Sequence, residues 1–172
     1  MGRVAAVVLA AGEASRFGRA KQRILLPSLL ERLKTTPVDV DEVVVVEGAY
    51  ELETPEDVSL VHCAEWQRGP GASLRCGLAA LADDVDVAIV VLADGPMLAP
   101  AAVARVLDAW RRDDPSVAAS YGGDRGHPLV VGRTSWAVIP DEGLRGQGVR
   151  LVPCDDLGSP GDVDTPENLE RI

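Results

Sequence analysis

An α/β fold, with helices on both faces of a mostly parallel sheet, is what this sequence predicts, and three observations predict it. Four apolar runs read as strands: Arg3 to Leu9, Glu42 to Val46, Val58 to Val61 and Val85 to Leu92. Helix-like stretches alternate with them, at Ser28 to Lys34, Ala72 to Leu81 and Ala101 to Arg111. At 172 residues the chain can bury one full core but not two ordinary ones, so residues 1–172 read as one domain.

Taken in order, Val4 to Leu9 is β-branched and apolar enough to be a buried strand. The helix over 72–81 follows the turn Gly69-Pro70-Gly71, with Ser73 near its start and Arg75 in its first turns. The wholly apolar strand that ends at Leu92 leads to Asp94, and the next helix is entered through Pro100. After Trp110 the texture changes: Val117 to Tyr121, Pro128 to Gly132 and Val149 to Pro153 sit among glycine-rich turns, as a mixed sheet edge or a flap over a substrate. Thr165 to Ile172 reads as a closing helix, with Thr165 as N-cap, Pro166 at its first position, and Glu167 and Asn168 in the first turn. The sequence shows no internal repeat, low-complexity tract or interdomain linker.

A formal net charge of −10 argues against general attraction to nucleic acid or to anionic membrane, so a phosphorylated ligand must be met locally. No apolar run approaches the roughly 20 residues that span a bilayer, and the N-terminus lacks a signal-peptide pattern; the expected location is the cytoplasm. Cys63, Cys76 and Cys154 are odd in number and widely spaced, with only His62 and His127 to assist them. Three small, half-buried thiols are expected, rather than structural zinc or a disulfide framework.

The most informative stretch is Leu9 to Lys21, LAAGEASRFGRAK. Ala10, Ala11 and Gly12 leave the backbone after the first strand open to phosphate oxygens, and Arg16, Arg19 and Lys21 supply positive charge. Only two lysines occur in the chain, so one inside this loop is not compositional noise. The spacing is not that of the G-x-x-x-x-G-K-[ST] phosphate loop, since Gln22 follows Lys21, nor that of G-x-G-x-x-G. A plain strand-to-helix turn with solvated cations is the alternative.

Asp94, in VVLADGPM, stands where a carboxylate can face a cleft and coordinate a hard cation such as Mg²⁺, or else cap its own turn with Gly95 and Pro96. Asp162 and Asp164 flank Val163, so an extended segment would turn both to one face, while helix capping is the alternative. In an open α/β sheet the loops after the first strand and after Leu92 share the carboxyl edge, which would gather the Gly12 to Lys21 loop and Asp94 into one site.

Together, LAAG followed by Arg16, Gly18 and Lys21, the LAD-x-P of Asp94, WQRGPGASLRCGL over 66–78 and DVDTPENL over 162–169 resemble the nucleotidyltransferases that attach a nucleotide to the molybdenum cofactor. The resemblance covers about residues 3–170. It implies a single-domain, Rossmann-like three-layer sandwich of the nucleotide-diphospho-sugar transferase type. It places Leu9, Ala10, Ala11, Gly12, Arg16 and Lys21 around the triphosphate and Gly71 and Ser73 in the base and ribose pocket. Mg²⁺ would lie on Asp94, Asp164 and Asp162, and Gly126, His127 and Pro128 beside the acceptor. Four departures are visible: Gly95 where relatives usually carry Gln, Asn168 for an acid, a shorter stretch between Lys21 and Leu29, and a compact 142–148.

The implied reaction is Mg²⁺-dependent: an acceptor phosphate attacks the α-phosphorus of a nucleoside triphosphate in line and pyrophosphate leaves, with Arg16, Lys21 and Asp94 as the catalytic group. Ala11 in place of a second glycine, together with G-H-P, favours CTP. The acceptor would be molybdopterin or its molybdenum-loaded form, with a molybdoenzyme or maturation protein as partner. Rival readings are the same chemistry on a sugar phosphate or another phosphorylated alcohol, and a non-catalytic nucleotide-binding maturation protein. An NAD-dependent oxidoreductase lacks its glycine fingerprint.

Overall fold

Ala5 through Val8 are buried without remainder because their strand, β1 (Arg3–Leu9), lies in the middle of a sheet covered on both faces. The computed structural model describes residues 2–13, 17, 19–111 and 114–170. The other strands are β2 (Glu42–Glu47), β3 (Ser59–His62), β4 (Val85–Leu92), β5 (Ser116–Tyr121), β6 (Asp124–Gly132) and β7 (Arg150–Pro153). They form one seven-stranded sheet in the order β3-β2-β1-β4-β6-β5-β7. Only β6 runs antiparallel to its neighbours, β4 and β5. Residues 116–153 are therefore a mixed sheet edge.

The α-helices among the described residues are α1 (Lys21–Lys34), α2 (Pro70–Ala79), α3 (Pro100–Ala109) and α4 (Pro166–Leu169). Leucines of α1 and the apolar stripe of α3, Ala102, Val103, Val106 and Leu107, share one core cluster with Ala6, Val8, Val45, Ile89 and Val91. On the other face Leu74 and Leu78 of α2 pack with Ala5, Val7, Val44, Val46 and Val90. The result is the three-layer sandwich expected. Among the described residues no helix is long and apolar enough to cross a membrane.

Two expectations change. Helix α1 begins at Lys21, not Ser28, and runs through Pro27. Leu25, Leu26, Leu29, Leu30 and Leu33 are all buried along one face. Burial at roughly 2 kcal/mol per leucine outweighs the cost of about 3 kcal/mol for one interior proline. The three separate thiols are also corrected: Cys63 and Cys76 form a disulfide, with Cα atoms 5.8 Å apart, and only Cys154 is free and buried. Cys63 directly follows β3 and Cys76 lies in α2, so it is the packing of α2 beside that strand end that brings them together.

Candidate active site

The loop after β1 is held from both sides. The Ala10 N–H donates to the Val46 carbonyl at 2.9 Å, the Ala49 N–H donates to the Ala11 carbonyl at 3.0 Å, and Gln22 Nε2 donates to the Gly12 carbonyl at 2.7 Å. A Cβ added at Gly12 would meet nothing within 4 Å. That open space belongs to a cleft of about 620 Å³ at the carboxyl ends of β1 and β4, lined on this side by Leu9 to Gly12, Phe17, Lys21 and Gln22. The Gln22 Oε1 is buried and meets no hydrogen-bond donor among the described residues.

Asp94 enters the cleft from β4, its neighbour Ala93 donating to the Leu9 carbonyl at 3.0 Å. The incoming C-terminal segment is stitched to the same loop, Met97 N–H to the Pro160 carbonyl at 2.8 Å and Val163 N–H to the Asp94 carbonyl at 3.2 Å. Val163 is buried against Phe17 and Leu25, while its neighbours Asp162 and Asp164 turn to Asp94. Carboxylate oxygens of Asp94, Asp162 and Asp164 lie within 4.8 Å of one another, an all-oxygen set that suits a hard divalent cation. Burial, and then the charges of Asp94 and Asp164, push the Asp162 carboxyl above the usual carboxylate range.

Lys21 is not a solvated cation. Its residue is only 7% exposed, and Nζ lies 2.7 Å from the Val163 carbonyl and 3.3 Å from both Asp94 Oδ2 and Asp164 Oδ1. Charged hydrogen bonds of this kind are worth about 2 kcal/mol, so Lys21 stabilises the fold as well as lining the cleft.

The remaining wall comes from α2 and the segment before it. Trp66 and Gln67, on a short 3₁₀ turn, line the cleft with Gly69, Pro70 and the buried Ser73. Arg75 and Arg68 both reach Asp141, Arg68 Nη2 at 2.9 Å, and Arg75 Nη1 also donates to the Ile139 carbonyl at 2.6 Å. The Arg75 guanidinium first, and Arg68 with it, hold the Asp141 carboxyl below its ordinary range. Arg125 donates to the Leu144 carbonyl. The 139–144 stretch is thereby tied to α2 and β6.

Among curated proteins none matches this chain. Among solved structures, Rv0371c from Mycobacterium tuberculosis H37Rv has 25% identity and a TM-score of 0.79, with 98% of this chain and 96% of that one covered. A manganese complex of Rv0371c gives 24% and 0.77, covering 98% and 97%. A nucleotidyl transferase from Methanothermobacter gives 22% and 0.74 over 98% and 95%. A CMP:2-keto-3-deoxy-manno-octonic acid synthetase complexed with CTP shares the fold at 14% and 0.73 over 98% and 96%. The signature of the MobA-like NTP transferase domain matches residues 6–153. The chain belongs to that family. It is a nucleotidyltransferase, as its motifs indicate.

Within this MobA-like domain the structure brings together most of the residues the sequence singles out. Leu9, Ala10, Ala11, Gly12, Lys21, Ser73, Asp94 and Asp164 line one cleft, and Asp162 joins the carboxylate cluster. Arg16, expected on the triphosphate, lies outside the described residues. Gly71 is not part of the lining: a Cβ there would fall 1.7 Å from the Pro140 carbonyl oxygen, so it is a close-packing position between α2 and the 140–143 turn. Gln22, Phe17, Trp66 and Gln67 line the cleft without having been singled out from the sequence, and Gln22 is the most telling of them. Its signal was available only once α1 is extended to Lys21, which puts Gln22 in the first turn facing inward.

Gly126, His127 and Pro128 lie on β6, whose ladder with β4 ends at Val90↔Leu129, so they run past the carboxyl end of β4 but outside the cleft lining. The Tyr121 hydroxyl donates to the His127 carbonyl at 2.9 Å. Burial, then the charges of Arg125 and Arg145, push the His127 imidazole down to about 4. Between that value and the ordinary 6.5 the unfolded chain binds a proton that the folded one does not. Stability should therefore fall as pH drops through this window, by about 2 kcal/mol. His127→Gln is expected to flatten that fall, and urea midpoints at about pH 7 and about pH 4.5 would show it. Equal acid sensitivity in variant and wild type would refute the assignment.

Proposed function

We propose that this nucleotidyltransferase uses a divalent cation, Mg²⁺, to transfer CMP from CTP to the phosphate of a molybdopterin-type acceptor, releasing pyrophosphate. The observation that carries this reading is the convergence of three carboxylates and one ammonium group on a cleft whose floor is the open Ala10 to Gly12 backbone. The manganese complex of Rv0371c and the CTP complex of the octonic acid synthetase support the ligand classes. Asp94, Asp164 and Asp162 would hold the cation, which when bound neutralises and orients phosphate oxygens. The backbone of Ala10 to Gly12 admits the triphosphate, and Lys21, with Arg16, offsets charge on the departing pyrophosphate. Trp66, Gln67 and Ser73 border the space left for base and ribose. Gly126, His127 and Pro128 are the acceptor side in this reading. A phosphate nucleophile is already ionised, so no general base is required. The supply of CTP and pterin makes the cytoplasm the natural setting.

Nucleotide choice rests on Ala11, which is 3% exposed and lines the cleft. A methyl in place of a second glycine's hydrogen narrows the pocket, and one methyl-sized difference is worth about 1–3 kcal/mol. CTP should bind roughly tenfold to a few hundredfold more tightly than GTP in the presence of Mg²⁺, and Ala11→Gly should erode the preference. Competition titration checks this. GTP binding as tightly as CTP would overturn the cytidylyl assignment, and pyrophosphate release without dependence on added molybdopterin would overturn the acceptor.

A further inference from the structure

We propose that the Cys63–Cys76 disulfide is a reversible redox-modification site that sets the cleft wall formed by Trp66, Gln67 and Ser73. The inference rests on the nucleotide-cleft reading. The bond joins residues 13 apart, and the chain between them carries the Trp66–Arg68 turn, Gly69, Pro70 and Ser73, all but Arg68 on the cleft. The crosslink therefore closes a loop that carries this whole side of the cleft wall.

The two ends of that loop are unequally anchored. Helix α2 is fixed to the sheet independently of the disulfide, through buried Leu74 and Leu78 and through Gly77, where an added Cβ would lie 2.6 Å from Val7 Cγ1 and 2.7 Å from Val46 Cγ2. The 64–68 stretch is held more lightly: Ala64, Glu65, Gln67 and Arg68 are exposed, and it is tied by the half-buried Trp66, packed beside Gly48, and by the Arg68–Asp141 pair. It follows β3, which is an edge strand. Opening the bond leaves the sandwich standing and leaves the turn that carries Trp66 and Gln67 to these lighter ties alone.

The two cysteines differ in exposure, and this gives the exchange a direction. Cys63 is fully buried, whereas Cys76 is half-buried. A thiolate of an external dithiol reaches Cys76 Sγ, forms a mixed disulfide there and expels the Cys63 thiolate, which takes a proton. The dithiol's second sulfur then attacks the mixed disulfide, frees Cys76 as a thiol and leaves the dithiol as a cyclic disulfide. Two electrons pass to the protein and two S–H bonds form. The Ala72 carbonyl oxygen, 3.7 Å from Cys63 Sγ, is placed to accept the new S–H.

The test uses the full chain carrying Cys154→Ser, so that only the pair responds. Reduction with dithiothreitol, verified by alkylation of both cysteines, should weaken binding of CTP with Mg²⁺ several-fold, and reoxidation with diamide should restore it. Cys63→Ser/Cys76→Ser should bind like the reduced form and ignore both reagents. Unchanged affinity after verified reduction, or two free thiols after diamide, overturns the proposal. Hydrogen exchange over 64–68, measured without nucleotide, separates the two readings. If the oxidised protein binds no nucleoside triphosphate, the nucleotide-cleft reading fails. Faster exchange there on reduction still supports the redox site, and unchanged exchange overturns it.

Discussion

Asp94→Asn is expected to lower metal-dependent pyrophosphate release by about 10²- to 10³-fold while the protein stays folded. The amide keeps the size of the carboxylate and gives up the charge that holds a cation against Asp164 and Asp162. The fold should persist because Lys21 keeps its bonds to Asp164 and the Val163 carbonyl. Nucleotide affinity should fall less than turnover, since the Ala10 to Gly12 backbone is untouched. Asp164→Asn should behave likewise, and Asp162→Asn more mildly, as its side chain is the most exposed of the three. Pyrophosphate-release assays with calorimetry on the same samples decide it. Wild-type turnover in Asp94→Asn would remove the carboxylate cluster from the reaction.

The largest effect on stability should come from Gly71→Ala, at about 3 kcal/mol or more. The added methyl would meet backbone on three sides, the Pro140 oxygen at 1.7 Å, the Gly143 nitrogen at 2.7 Å and the Asp141 oxygen at 2.9 Å, and backbone cannot swing away as a side chain can. The Gly71 N–H also donates to the Asp141 carbonyl at 2.8 Å, so the 140–143 turn cannot retreat without losing that bond and disturbing the Arg75 pair. Gly12→Ala is the control: its methyl faces open cleft, so stability should change by less than about 0.5 kcal/mol while nucleotide binding weakens. Urea unfolding of both variants provides the comparison. A stable Gly71→Ala that fails only in binding would return Gly71 to the ligand.

What the sequence revealed followed from local signals. Strands β1 and β4 end where expected because the apolar runs Val4 to Leu9 and Val87 to Leu92 give way to small residues and then, after β4, to Asp94. Asp94 and the Ala10 to Gly12 loop were legible because sheet topology sends both to one edge, and Asp164 because its D-x-D spacing sits in a motif shared with the family. The front half of α1 was not, since Pro27 masks a leucine face that only the folded core reveals. The role of Gly71 was read from its motif, but the 140–143 turn that crowds it lies far along the chain. The Cys63–Cys76 bond was equally hidden, because a separation of 13 residues says nothing of a 5.8 Å approach between a strand end and a helix.

Lys21 gives the carboxylate cluster a tethered counter-ion. With one covalently attached cation already shared between Asp94 and Asp164, mutual repulsion among the acids is offset by the chain itself. The architecture thus does not lean on a captured ion for its integrity, as small zinc-stapled domains do. In the proposed reaction metal would come and go with each nucleotide as a visitor, while the strand-end geometry that receives it is kept by an amine that never leaves.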